Sequence, residues 1–164
     1  MKTLDDLFLA TLKDIFYAER QILKALPKMA RAAENEELRK ALTTHRDETE
    51  QQVTRLQQVF EALGQRARGV TCEAINGIIE ECRELLDEHR DPSPVRDAGL
   101  VASGQAVEHY EMARYGTLIA WATAAGKSEV ASLLEANLDE EKAADNLLTK
   151  LASRINREAI AIEA

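Results

Sequence analysis

The sequence is poor in the residues that interrupt helices. Only 7 glycines and 3 prolines occur among its 164 residues, whereas alanine, leucine and glutamate, which favour helix, are abundant. Hydrophobic residues make up 45% and charged residues 30% of the chain, as in an ordinary soluble globular protein. We therefore expect an all-α protein that forms one domain over residues 1–164.

Long apolar runs and basic stripes are missing as well. Charged residues interrupt every hydrophobic stretch, so we expect no membrane span. The formal net charge is −8, and no basic stripe offers a footprint for duplex nucleic acid. The N-terminal segment lacks the small-residue cleavage site of a signal peptide, which predicts a cytoplasmic protein.

Cysteine is equally scarce. Cys72 and Cys82 are the only two cysteines, and their spacing matches no zinc motif. In a reducing compartment we expect both to be free thiols that pack as small core residues.

Helical periodicity predicts four long helices and one short helix. Thr3 is predicted to cap the first, whose apolar pattern continues past Pro27 to about Ala33. Asn35 is predicted to cap the second, and Gly64 to end it. These two helices are expected to form an antiparallel hairpin.

A long crossover follows over residues 64–94. It contains a shorter helix, which Thr71 is predicted to cap, and then the helix-breaking run DPSP. Ser93 and Pro94 are predicted to begin the third long helix as its cap and first residue. The crossover is expected to return the chain to the end where the second helix begins.

The last two long helices are predicted to form a second hairpin. Gly126 is predicted to end the third, Ser128 to cap the fourth, and the end of the chain to fray after Ser153. Two hairpins joined by one long crossover are the connectivity of a ferritin-like four-helix bundle.

Each long helix carries a glutamate where its periodicity calls for an apolar residue: Glu19, Glu48, Glu108 and Glu141. Each lies about 20 Å along its helix, so antiparallel packing brings all four to one level. Because a buried ionised carboxylate without a partner is very costly, we expect this cluster to hold metal. The alternative is solvated acids or a polar, water-filled seam.

Further polar residues lie within one helical turn of these glutamates. Glu111 follows the third and Asp145 the fourth, while His45 and Gln52 flank the second. His45 is either a ligand or only a hydrogen-bonding partner of Glu48. Many carboxylates with little imidazole predict two divalent ions, iron or manganese, rather than copper or a closed zinc site.

Three other polar side chains are predicted to stand outside the cluster. His109 points about 100° away from Glu108, which predicts a packed or exposed histidine, and His89 is predicted to be exposed. Tyr115 lies one turn from Glu111 and is expected to be a core tyrosine, with a hydrogen bond to a ligand as the alternative.

Five segments together carry a family resemblance. They are YAERQILKALPKMA around Glu19, HRDETEQQVTRLQQVF around Glu48, CEAINGIIEE in the crossover, QAVEHYEMARYGTL around Glu108 and LDEEKAADNLLTKLA around Glu141. Over nearly the whole chain, the sequence resembles the YciE/YciF-type proteins, which are ferritin-like bacterial stress-associated proteins. The resemblance implies a homodimer whose metal ligands are these four glutamates and Glu111. The Glu-x-x-His motifs of the wider superfamily are absent, because Gln51 and Ala144 occupy the histidine positions.

These observations support two functional hypotheses. In the first, Glu48 and Glu141 bridge two iron or manganese ions, Glu19 and Glu108 are terminal ligands, and the site reduces peroxide or oxygen during stress. Glu111, Asp145 and either Gln52 or His45 would complete this ligand set. In the second, the chain is a non-enzymatic structural or binding dimer with an inert metal site. Cage-forming iron storage is a third possibility.

Overall fold

Five α-helices make up most of residues 3–161, the part of the chain that a computed structural model describes. They are α1 (Leu4–Ala32), α2 (Glu36–Ala62), α3 (Glu73–Glu88), α4 (Pro94–Ala124) and α5 (Ser128–Ala161). Helices α1 and α2 pack together, as do α4 and α5, and α3 lies against α1 and α4. The predicted all-α, ferritin-like four-helix bundle with a long crossover containing a short extra helix is confirmed.

Several predicted helix ends are confirmed in atomic detail. The Thr3 hydroxyl accepts a hydrogen bond from the backbone of Asp6, whose carboxylate accepts one from the backbone of Thr3 at 2.8 Å. The Asn35 side chain accepts a hydrogen bond from the backbone of Leu38 at 3.0 Å. Gly64 follows α2 with a φ of +64°, a left-handed conformation that glycine adopts without strain.

Two predicted helix starts are wrong by one residue. Cys72, not Thr71, caps α3, because its Sγ accepts a hydrogen bond from the backbone of Ile75 at 3.4 Å. Ser128 is the first residue of α5 rather than its cap. The carbonyl of the preceding Lys127 already accepts the first helical hydrogen bond, from the backbone of Ala131 at 3.0 Å.

The prediction that the chain frays after Ser153 is also wrong for the described residues, since α5 continues to Ala161. Ile155 is completely buried and extends the apolar face of the helix. Arg154 forms an ion pair with Glu37 of α2 at 3.1 Å. Tertiary contacts therefore hold a segment whose own periodicity is weak.

The crossover returns to the start of α2, as predicted, and Asp97 fastens it there. The two carboxylate oxygens of this buried side chain accept hydrogen bonds from the backbone nitrogens of Glu34 at 2.9 Å and Asn35 at 2.7 Å. The guanidinium of the neighbouring Arg96 donates to the carbonyl oxygens of Arg90 and Ala32. These contacts fix the level of α4 relative to the first hairpin.

The core between the helices is apolar above and below the middle of the bundle. Phe16 and Phe60 pack edge to face with ring centroids 5.4 Å apart. Cys72 and Cys82 are buried and free, as predicted. Within residues 3–161, no helix combines the length and apolar character needed to cross a membrane.

Candidate metal centre

Four buried side chains from three helices meet in the middle of the bundle. They are His45 of α2, Glu108 and Glu111 of α4, and Glu141 of α5, and each offers one ligand atom within 4.8 Å of the others. His45 Nε2 lies 3.2 Å from Glu108 Oε1 and 3.5 Å from Glu141 Oε2. We call these four residues the central group. The central group lies where the sequence has acidic residues in the apolar faces of its helices.

Glu19 brings the remaining long helix, α1, to the same level. Its side chain is completely buried, and its Oε1 accepts a hydrogen bond from the Tyr115 hydroxyl. The charge of Glu141 contributes to raising the pKa of Glu19, as a neighbouring carboxylate does in a water-poor interior. All four long helices therefore contribute to one polar centre, at the common level that the sequence predicts.

Glu48 lies at the edge of this centre rather than inside it. Its side chain is 38% exposed, and its Oε2 is 3.4 Å from His45 Nδ1. It lines a small cavity of about 110 Å³ between α2 and α5, together with His45 and Glu108. Glu48 thus stands where this cavity reaches the central group.

The last two residues of the predicted ligand set, Gln52 and Asp145, lie in different surroundings. Gln52 is completely buried and faces Glu141. Asp145 is partly exposed and accepts a hydrogen bond from Gln105 at 3.3 Å. Its carboxylate also lies 3.2 Å from Nε2 of the exposed His109. The structure brings Gln52 to the centre and leaves Asp145 beside it.

The centre holds an unusual number of buried polar atoms without hydrogen-bond partners. Six are carboxylate oxygens: Oε2 of Glu19, Oε2 of Glu108, and both oxygens of Glu111 and of Glu141. Both polar atoms of the Gln52 amide are likewise unpaired. Native proteins leave few such atoms unpaired, and each one needs an explanation.

The protein itself supplies little positive charge to these acids. Within residues 3–161, no lysine or arginine forms an ion pair with Glu19, Glu108, Glu111 or Glu141. The nearby Arg55 is engaged by Glu140 at 2.6 and 2.7 Å. A cation bound from outside would satisfy both the charge and the unpaired oxygens.

Burial and mutual repulsion raise the pKa values of these acids. Burial and the charge of Glu141 raise the pKa of Glu19 to about 8, and burial raises that of Glu108 to about 7. Burial, followed by neighbouring carboxylates, raises the pKa values of Glu111 and Glu141 well above the usual range. The centre therefore binds protons when it binds no other cation.

The pKa of His45 is also raised, although burial opposes the rise. Burial alone would lower this pKa, but the hydrogen bond to Glu48 and the charges of Glu141 and Glu19 outweigh burial. A protonated imidazole compensates only one of the neighbouring acids.

A chain of hydrogen bonds connects the centre with the protein surface. Asn137 donates to the Tyr115 hydroxyl at 3.0 Å, and Tyr115 donates to Glu19. Arg55 donates to Asn137 at 2.9 Å and pairs with the partly exposed Glu140. Sequence reasoning missed Asn137 and Arg55. The signal for Asn137 was present, because it lies one turn before Glu141 on the buried face of α5.

The donor atoms of the centre fit a hard or borderline divalent metal. Carboxylate oxygens dominate, with one imidazole nitrogen, and such sets suit iron or manganese better than copper. Five buried side chains offer such donor atoms: His45, Glu19, Glu108, Glu111 and Glu141. The unpaired oxygens of the glutamates are the atoms that such ions would contact.

A four-helix bundle with one long crossover and inward-facing carboxylates on its helices has the architecture of the ferritin-like carboxylate proteins. The chain belongs to the family described as Domain of unknown function (DUF892), whose model matches residues 3–161. The predicted family resemblance is thereby confirmed. The chain is 44% identical to Protein YciF of Escherichia coli strain K12, over 97% of this chain and 96% of that protein.

Solved structures agree with this assignment. The crystal structure of the E. coli stress protein YciF matches with a TM-score of 0.91 and 42% identity, over 96% of this chain and 99% of that one. YcfI from Rhodopseudomonas palustris, described as a proposed structural protein, matches with a TM-score of 0.88 and 53% identity, over 90% and 94% of the two chains. A protein from Xanthomonas campestris pv. campestris shares the fold, with a TM-score of 0.76 and 23% identity over 98% and 99% of the two chains.

Proposed function

We propose that this chain is a stress-associated, ferritin-like protein. Its central group and Glu19 hold two iron or manganese ions, and this metal pair reduces peroxide or oxygen. The observation that carries the proposal is the set of six buried carboxylate oxygens without hydrogen-bond partners. The stress association rests on the relatives, since YciF of E. coli is described as a stress protein.

The residues of the chain have distinct roles in this proposal. His45, Glu108, Glu111 and Glu141 bind the ions, and Tyr115 orients Glu19 by holding a proton against its Oε1. Once bound, iron or manganese supplies one-electron redox chemistry. Glu48, Gln52 and Asp145 are proposed as further ligands: Gln52 is buried facing Glu141, and Glu48 reaches the centre along the small cavity.

The size of that cavity favours a small oxidant. Its volume of about 110 Å³ is lined by His45, Glu48 and Glu108 and opens between α2 and α5. On the same measure a cavity needs only about 10–15 Å³ to hold one water molecule, so peroxide or oxygen fits without a rearrangement of the helices. The apolar walls above and below the centre keep bulk water away from it.

The direct test is anaerobic loading with ferrous or manganous ion, followed by addition of hydrogen peroxide. The wild-type protein should consume peroxide with a matching change in the optical or paramagnetic resonance signal of the metal. Glu141→Gln should lose the reaction, whereas Glu135→Gln, which alters an exposed acid on the same helix, should keep it. A loaded wild-type protein that leaves peroxide unchanged would refute the redox role.

A non-enzymatic structural role is the second candidate. It is favoured by the description of YcfI as a proposed structural protein and by Gln51 and Ala144 at the superfamily's histidine positions. In this case the chain is a homodimer with a bound but inert metal. Analytical ultracentrifugation of the inert, loaded protein would identify the dimer, and a far larger particle would point to a storage cage.

A further inference from the structure

A basic pocket stands out on this acidic protein. Arg20 and Lys24 of α1 and Arg66 and Arg68 of the segment after α2 line a surface pocket of about 520 Å³. No acidic residue lines it, and within residues 3–161 none of these four cations forms an ion pair with a carboxylate. We call them the basic group. On a chain with a net charge of −8, four unpaired cations at one place favour an anion.

The pocket is held by contacts among three elements of the fold. The backbone nitrogen of Val70 donates to the carbonyl of Lys13 at 3.2 Å and ties the segment to α1. Gly69 lies so close to α1 that an added Cβ would stand 3.0 Å from Cβ of Tyr17. The Tyr17 hydroxyl donates to Asn76 of α3 at 3.1 Å. The basic group therefore sits on a fixed frame.

A second, mostly apolar cavity adjoins this pocket and shares Gln21 and Lys24 with it. This cavity has a volume of about 410 Å³ and runs between α1, α3 and α4. Its apolar walls include Ile22, Leu26, Met29, Ile78, Ile79 and Leu86. Glu108 of the central group also lines it, so the cavity leads inward to that residue.

We infer that the pocket and the cavity form one binding site for an amphipathic anion with a single apolar chain. The anionic group lies against the basic group, and the chain lies in the cavity. The volume of about 410 Å³ is within the range of small-molecule sites. Fatty carboxylates and alkyl phosphates share this chemistry, and the site does not depend on metal at the centre.

The first test is a calorimetric titration of the metal-free protein with octanoate, decanoate and dodecanoate, each below its micelle concentration. Each added methylene that enters the cavity should tighten binding about fourfold. Dodecyl phosphate tests the other headgroup, and dodecanol, which has the chain without the charge, should bind more weakly than dodecanoate. The preference for the anions should shrink with added salt, because exposed charges are screened.

Two variants test the two halves of the site separately. The double variant Arg66→Ala, Arg68→Ala should bind dodecanoate about fivefold more weakly and bind dodecanol as the wild type does. The matched control is the double variant Arg31→Ala, Arg157→Ala, which changes two exposed arginines elsewhere. Ala25→Phe fills the cavity and should weaken both ligands tenfold or more, whereas Ala10→Phe, at an exposed position on the same helix, should not.

Several results would overturn the inference. They are the absence of saturable binding of every anion, equal binding of dodecanol and dodecanoate, and full binding by a correctly folded Ala25→Phe variant. The inference would also be overturned if the protein sedimented with anionic vesicles but showed no saturable binding of monomeric dodecanoate. That result would assign the basic group to a membrane surface.

Discussion

Tyr115 donates a hydrogen bond to Oε1 of Glu19, and the same hydroxyl accepts one from Asn137 at 3.0 Å. The tyrosine thus fixes the carboxylate that α1 brings to the centre. Outer partners of this kind commonly change metal affinity by about 10- to 100-fold. We predict that Tyr115→Phe binds iron or manganese about tenfold more weakly in a competition titration, with the helical circular dichroism spectrum unchanged.

Tyr110→Phe is the matched control for this variant. The Tyr110 hydroxyl donates to Asp14 at 2.6 Å, away from the central group. Its loss should lower stability without changing metal affinity. Equal metal affinity of the Tyr115→Phe variant and the wild type would show that the tyrosine has no influence on the site.

The raised pKa values predict how the stability of the metal-free protein changes with pH. Glu19 and Glu108 titrate near 4.5 when unfolded, and their pKa values rise to about 8 and about 7 on folding. The folded state thus binds more protons, a contribution that is complete below about pH 4.5 and is lost as pH rises through 7 and 8. We expect the free energy of unfolding to fall by at least about 2 kcal/mol between pH 5 and 8.

Denaturant unfolding of the chelator-treated protein at several pH values measures this change. Added iron or manganese should restore the stability at pH 8 and have little effect at pH 5, where protons compete for the same oxygens. A metal-free protein that is equally stable across this range would contradict a buried acid cluster.

Neutralising one central acid should have opposite effects on stability and on metal binding. Glu111 is completely buried, and neither of its carboxylate oxygens has a hydrogen-bond partner. We predict that Glu111→Gln weakens metal binding and stabilises the metal-free protein by about 1–4 kcal/mol at pH 8. At this pH the wild-type protein can fold only if Glu111 takes up a proton or is buried as a charge, and glutamine requires neither. The gain should be much smaller at pH 5, close to the ordinary pKa of a glutamate, because burial and the neighbouring carboxylates raise the pKa of Glu111 and little free energy is then needed to keep it neutral.

Glu135→Gln, at an exposed position on α5, should change neither property. Calorimetric melting with and without metal separates the two effects. A Glu111→Gln variant that is less stable than the wild type at pH 8 without metal would mean that this acid has a compensating partner.

Asp97 is predicted to be a stability residue outside the metal centre. Its carboxylate accepts hydrogen bonds from the backbone nitrogens of Glu34 and Asn35. Asp97→Ala removes the charged acceptor of both hydrogen bonds, so the free energy of unfolding should fall by about 2–4 kcal/mol. Urea unfolding would measure this loss beside Asp91→Ala, at an exposed position in the same crossover. Equal losses in the two variants would contradict the role of Asp97.

The arrangement of the helices was predictable because its signals are local. Thr3, Asn35 and Gly64 act within one turn of their own helix, and the level of the glutamates follows from helix lengths. The cap of α3 was not predictable, because threonine is a stronger capping residue than cysteine and Thr71 stands directly before Cys72. The tertiary contact of Cys72 with the Tyr110 hydroxyl at 2.9 Å cannot be read from the sequence.

The composition of the site was predictable only in part, because an apolar pattern fixes the face of a helix to within tens of degrees. On α2 the buried line runs through His45, Thr49 and Gln52, which places Glu48 at its border. On α5, Asp145 follows Glu141 by four residues, a rotation of about 40°, and faces Gln105 instead. Whether these two acids are ligands stays a prediction.

Elemental analysis of metal per chain tests the central claim most directly. Wild-type protein grown with iron and manganese should be measured beside Glu141→Gln, Glu48→Ala and the exposed control Glu135→Gln. We predict about two ions per chain in the wild type and the control, near-complete loss in Glu141→Gln, and a smaller loss in Glu48→Ala. Near-zero metal in the wild type, or equal metal in wild type and Glu141→Gln, would contradict a metal centre at these residues.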